Sequence, residues 1–135
     1  MHVHQVRWRL AMAGLLIAEA SLIAAAFAWV AFYSYFLNPG HTAGFYEQYA
    51  QATTPYVALL LGIPVFFLTT RWIGFRAPSA ARATAFALFG LFCLIEIPSM
   101  LAFDNPVVTP WFEAVNLPVK LLSCLWGVRA ARKPA

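Results

Sequence analysis

The sequence predicts an all-α membrane protein: four transmembrane helices in one bundle, with the N and C termini both cytoplasmic. Three observations predict it. Apolar residues make up 62% of the 135 residues and charged residues only 10%, whereas a soluble domain is nearer half apolar and a quarter charged. The apolar residues fall into four long runs rather than a scattered core pattern. The basic residues outside those runs gather on alternate connections, as the positive-inside rule requires.

The runs cover residues 10–37, 55–73, 83–103 and 110–128. Each is near or above the roughly 20 residues that cross ~30 Å of hydrocarbon as a helix. The first is longer, so it tilts or protrudes. Its opening, RWRLAMAGLLIAEASLIAAAFA, has the basic and apolar regions of a signal peptide and a cleavable-looking AEA. The apolar character continues through WVAFYSYF, which favours an uncleaved span. No internal repeat or linker divides the chain, so 1–135 reads as a single domain.

Helix punctuation fits these runs. Thr54-Pro55 and Thr109-Pro110 place a capping hydroxyl before a proline that needs no N–H partner. Ser79 is a cap candidate for the third helix, and Asn38-Pro39-Gly40 closes the first.

Arg7 and Arg9 precede the first span, Arg71, Arg76 and Arg82 flank the second connection, and Arg129, Arg132 and Lys133 follow the last span. The first and third connections carry no lysine or arginine, and the acidic Glu47 and Asp104 fall there. The basic face is therefore expected to be cytoplasmic, in a bacterial inner membrane. This accounts for the formal net charge of +4 without nucleic acid, for which there is no basic stripe interleaved with aromatics. Arg71, Arg76 and Arg82 are expected to meet lipid headgroups.

The long first outer connection contains TAGFYEQYAQ, which predicts a short amphipathic segment with Phe45, Tyr46 and Tyr49 on one side. It is expected to lie on the membrane surface or to act as a lid over an outward-facing cavity. Trp29, Tyr33, Tyr35, Trp72 and Trp111 sit near span ends, where aromatic belts form.

Three charges fall inside the spans: Glu19, Glu96 and Lys120. Intramembrane charges are costly and seldom face lipid. At 1.5 Å per residue, Glu19 lies roughly 14 Å and Lys120 roughly 15 Å from the span end, and Glu96 about 10 Å. Lys120 is expected to pair with Glu19, Glu96 or both, its stem bridging the difference in depth. Two carboxylates and one ammonium leave a net negative charge if all ionise, and a single retained proton relieves it. The bland alternative is a buried ion pair that only fixes helix packing.

On the fourth helix Glu113, Asn116, Lys120 and Ser123 recur at three- and four-residue spacing, hence on one face. Such a stripe faces the bundle or a wet cavity. Cys93, Glu96 and Ser99 share a face of the third helix in the same way. Glu19, Glu96, Asn116, Lys120 and Ser123 are accordingly the candidate substrate- or ion-binding residues. Pro64, Pro98 and Pro118 interrupt three spans, two of them beside an intramembrane charge. Ala20, Ala24 and Ala28 form a small-residue ladder that permits close helix approach, within the bundle or in a homodimer or larger complex.

Cys93 and Cys124 lie in apolar runs with no CxxC, and the spacing of His2, His4 and His41 makes no metal motif. HExxH, GxSxG, a Walker loop and a haem-binding histidine pair are absent too, so no metal site and no cofactor is expected. Three functions follow in order: a small carrier or channel for protons, ions or a small solute; an accessory or assembly subunit of a larger membrane complex; and a membrane enzyme on a lipid or isoprenoid substrate. The enzyme would use a glutamate with Tyr33, Tyr35, His41 and Tyr46 near the outer mouth.

Overall fold

The computed structural model describes residues 5–132. His2, His4 and Lys133 lie outside the described residues. Four α-helices pack together: α1 (Trp8–Phe32), α2 (Ala43–Arg76), α3 (Ala81–Ala102) and α4 (Pro110–Ala131). Three helical stretches are long and apolar enough to cross a membrane, Trp8–Leu37, Ala43–Arg76 and Ala81–Ala102. The bundle is apolar outside: Leu16, Phe27, Leu94, Leu101 and Leu122 are all exposed. Such a surface calls for contact with a lipid bilayer rather than water.

The helices alternate in direction. Arg7 N donates to Thr84 Oγ1 at 3.1 Å, bringing the start of α1 beside the start of α3. Gly74 of α2 faces Val128 and Ala131, so α2 and α4 finish at that same end. The described arginines therefore collect at one end of the bundle. The connections 38–42 and 103–109 lie at the other.

The core forms where small residues admit large ones. Ala11, Gly14, Leu15, Ala18 and Leu22 are the buried face of α1, and Gly14 receives the side chains of Leu88, Ile73 and Thr69. Phe66 and Phe92 meet edge to face, with centroids 5.0 Å apart. The ladder Ala20, Ala24 and Ala28 is not part of this face. All three residues are exposed on the bundle exterior.

The first span ends as the sequence predicts. α1 runs into a π-helical turn, Tyr33–Leu37, closed by Asn38 N donating to Tyr33 O at 2.9 Å. Gly40 takes φ +90, which only glycine adopts freely. Tyr33 stacks on Tyr49 at 3.6 Å between centroids, and Tyr46 Oη donates to Asn38 O at 2.8 Å. These contacts pin the turn to the start of α2.

Two boundaries differ from expectation. The segment around Tyr46 is no separate surface helix, and Thr54-Pro55 starts no helix. α2 runs unbroken for 34 residues through Pro55 and Pro64, about 51 Å at helical rise, so its first turns reach beyond ~30 Å of hydrocarbon. Proline at position 55 removes the N–H that the Gln51 carbonyl would accept. Asn105 Nδ2 donates to that carbonyl at 3.0 Å, and the helix continues here as it does through Pro64. The other difference is at α3, which begins after Ala80 with no side-chain cap, so Ser79 caps nothing. Thr109 does cap α4: its Oγ1 accepts from Phe112 N at 3.2 Å, with Pro110 following.

Candidate functional site

The polar face of α4 turns inward. Glu113, Asn116, Lys120 and Ser123 are all buried, together with Cys124, Gly127 and Val128. The Thr109 cap and Pro110 fix where the helix starts, and the 3.6-residue period puts these side chains on one face. Glu113 falls in the first turn, where the helix dipole favours a carboxylate. Trp111, Val115, Leu122 and Trp126 occupy the opposite, exposed face.

Lys120 is 1% exposed. Its stem crosses the groove left by Gly62 on α2. Its Nζ lies 4.5 Å from the centre of the Phe92 ring and 5.8 Å from that of Phe66, within the range of cation–π attraction. Among the described residues it makes no ion-pair contact with a carboxylate. The expected direct pair with Glu19 or Glu96 is therefore not formed. Glu96, Glu113 and Glu19 act on Lys120 only through space. The physical reason is that the ammonium is held by two aromatic faces on a stem confined by α2.

Asn116 joins two carboxylates. Its Nδ2 donates to Glu113 Oε2 at 3.0 Å and, more weakly, to Glu96 Oε1 at 3.5 Å. Among the described residues, three buried acceptors around this region have no donor: Glu19 Oε1, Glu113 Oε1 and Asn116 Oδ1. Unpaired buried acceptors are costly and uncommon in native folds.

Two cavities open beside these groups. The larger, about 700 Å³, lies between α1, the projecting turns of α2, and the Glu96 and Lys120 faces of α3 and α4. Glu19, Glu47, Tyr46, Phe92, Glu96 and Lys120 line it among mostly apolar groups. The smaller, about 460 Å³, holds Glu96, Glu113, Asn116 and Asn105. Glu96, Ala50, Thr54 and Ala58 line both, so the two spaces share a wall. The start of α2 thus forms one side of the larger cavity.

The structure brings Glu19, Glu96 and Lys120 to one cavity and Asn116 to the next. Ser123 is on the same helical face but spends its hydroxyl on Val119 O at 2.8 Å and lines neither cavity. Ser99 back-bonds to Ile95 O in the same way. Glu113, Glu47 and the two rings of Phe66 and Phe92 belong to the site although the candidate set omits them. Glu113 was open to inference from its three-residue spacing to Asn116. The rings were not, because a phenylalanine within a span carries no polar signal. Of the residues suggested for an enzyme, Tyr33 and His41 bond to Asn38 in the turn, and Tyr35 is exposed. Cys93 and Cys124 are free thiols, and the described residues include no cluster of metal-binding side chains. In comparison with known proteins, no family model, no curated protein and no solved structure matches this chain.

Proposed function

We propose that the chain is a four-span inner-membrane protein with both termini cytoplasmic, and a carrier or channel for protons, ions or a small solute. Glu19, Glu96 and Lys120 form its working site, with Asn116 linking Glu96 to Glu113. α4 supplies the fourth span: its Glu113 and Lys120 face inward, and Trp111, Val115, Leu122 and Trp126 make its exposed side apolar, the arrangement a bilayer favours. The clustering of arginines at one end supports the orientation.

One observation carries the transport reading. Glu19, Glu96 and Lys120 line a single cavity, and among the described residues Lys120 makes no ion-pair contact with either carboxylate. A purely structural buried pair is closed by direct contact and saturated with hydrogen bonds, since desolvated charges are otherwise destabilising. Here the charges stand apart around a space that a small molecule fits. The test is flux into liposomes holding the purified protein and a trapped pH indicator. Wild-type vesicles conduct or exchange protons above empty vesicles, and Glu96→Gln loses most of that flux while melting normally. Proton flux no greater than in empty vesicles, under an imposed pH gradient and membrane potential, together with no uptake of alkali cations or benzylammonium above empty vesicles, rejects the reading.

The assembly-subunit reading draws on a different observation. Ala20, Ala24 and Ala28 make an exposed small-residue row on α1, where a second helix can approach closely. Ala24→Leu then disrupts a complex isolated in mild detergent and leaves flux unaffected.

A further inference from the structure

Four of the five acidic residues of the chain line the two cavities: Glu19, Glu47 and Glu96 in the larger, Glu96 and Glu113 in the smaller. One cation, Lys120, faces them. An anion entering this space meets like charge on most sides. A neutral solute leaves the carboxylates without a partner. The larger cavity is also far roomier than a bare ion requires, and its volume falls in the range of roughly 300–1,000 Å³ typical of small organic ligands. Its walls are mainly aliphatic and aromatic, Phe27, Val30 and Phe92 among them.

The position of Lys120 adds an independent observation. Its ammonium is buried against the Phe92 and Phe66 faces and makes no hydrogen bond among the described residues. The chain's own side chain therefore places an organic ammonium in this aromatic and acidic space. Among the described residues, the buried Glu19 Oε1, on a residue that lines this same cavity, also lacks a donor. N–H donors carrying positive charge complement both features.

We propose that the larger cavity binds a small hydrophobic organic ammonium ion, with Glu96, Glu19 and Glu47 as its counter-charges and the Phe92 ring as its platform. Lys120 is then an internal competitor: its ammonium occupies the platform when the cavity is empty and is repelled when the ligand arrives. This rests on reading the cavity as a working site and names the class of molecule it takes.

The test is equilibrium binding to purified protein in detergent, by calorimetry, of three probes of similar size: benzylammonium, benzyl alcohol and benzoate. Benzylammonium binds at least about tenfold more tightly than the other two. Glu96→Gln weakens it by about tenfold or more, and Lys120→Met, which keeps a stem against Gly62, strengthens it several-fold. If Glu96→Gln does not fold, the exposed Glu47→Gln takes its place and weakens binding several-fold. Benzoate binding as tightly as benzylammonium, no saturable benzylammonium binding, or a Lys120→Met protein with unchanged affinity overturns the proposal. Binding without flux in liposomes rejects transport and leaves the ammonium site standing. Proton flux without benzylammonium binding does the reverse.

Discussion

Gly62 of α2 holds the stem of Lys120: a Cβ at that position would come 2.7 Å from Lys120 Cε. This close approach lets a lysine lie across the neighbouring helix and bring its ammonium to Phe92 at 4.5 Å. A methyl group at position 62 pushes on the movable end of a flexible side chain, not on backbone. Gly62→Ala is therefore expected to leave stability within about 1 kcal/mol, since helix propensity partly offsets the clash. Lys120 leaves the Phe92 face, and transport changes by several-fold. Thermal melting and liposome flux on the same preparation check both halves. A large fall in melting temperature, with flux per folded molecule unchanged, contradicts the role given to this contact.

Asn105 and Pro55 form a second coupled pair across the α3–α4 connection. Asn105 Nδ2 bonds the Gln51 carbonyl, whose helical donor the proline lacks. Asn105→Ala is expected to destabilise the protein by about 1 kcal/mol, the size of a typical hydrogen bond. In a Pro55→Ala background the helix supplies its own N–H to Gln51, so the same substitution costs distinctly less. A double-mutant cycle read by reversible unfolding in mixed micelles measures the coupling. Additive effects of the two substitutions contradict the account.

That pair also shows what a sequence reveals and what it conceals. Three of the four long apolar helices, their alternating direction and the inward face of α4 were legible, because each rests on local periodicity or on charge placement. Thr109-Pro110 was read correctly as a helix start, yet the same dipeptide type at Thr54-Pro55 lies inside α2. The carbonyl that Pro55 frees is met by Asn105, 54 residues away, a distance no local signal spans. The site divides along the same line. Glu19, Glu96 and Lys120 stand out because charges within spans are rare. Where the Lys120 ammonium lies is set beside Gly62, Phe66 and Phe92, which look like ordinary span residues.

Asn116 is positioned to keep two carboxylates in register. Its amide donates to Glu113 at 3.0 Å and to Glu96 at 3.5 Å. Asn116→Leu matches its volume approximately and removes both donors. The expected result is a loss of about 1–3 kcal/mol of stability, because buried carboxylate oxygens lose their partners. Asn116→Asp is expected to be worse at neutral pH, as it adds a third carboxylate to the pair. Asn116→Gln retains the donor and restores part of the loss. Comparing the three by unfolding in mixed micelles separates a lost hydrogen bond from a lost shape. Equal stability of the leucine and glutamine variants contradicts the bridging role.

Close packing of α2 on α4 depends on one further glycine. A Cβ at Gly127 would run into Thr70 Oγ1 and the Phe67 carbonyl oxygen. Thr70 Oγ1 cannot simply turn away, because it donates to Phe66 O at 2.7 Å within its own helix. The Phe67 carbonyl belongs to the α2 backbone, so the two helices must separate. Gly127→Ala is expected to destabilise by about 1–3 kcal/mol, as overpacking does, despite the better helix propensity of alanine. Gly90 on α3 supplies the control, since nothing lies within 4 Å of a Cβ there. Gly90→Ala should be neutral or raise the melting temperature slightly. Measured side by side, a destabilised Gly127→Ala and an unaffected Gly90→Ala assign the cost to helix contact. Equal behaviour of the two variants contradicts the close approach at Gly127, and with it the placement of Lys120 one face-length further along the same interface.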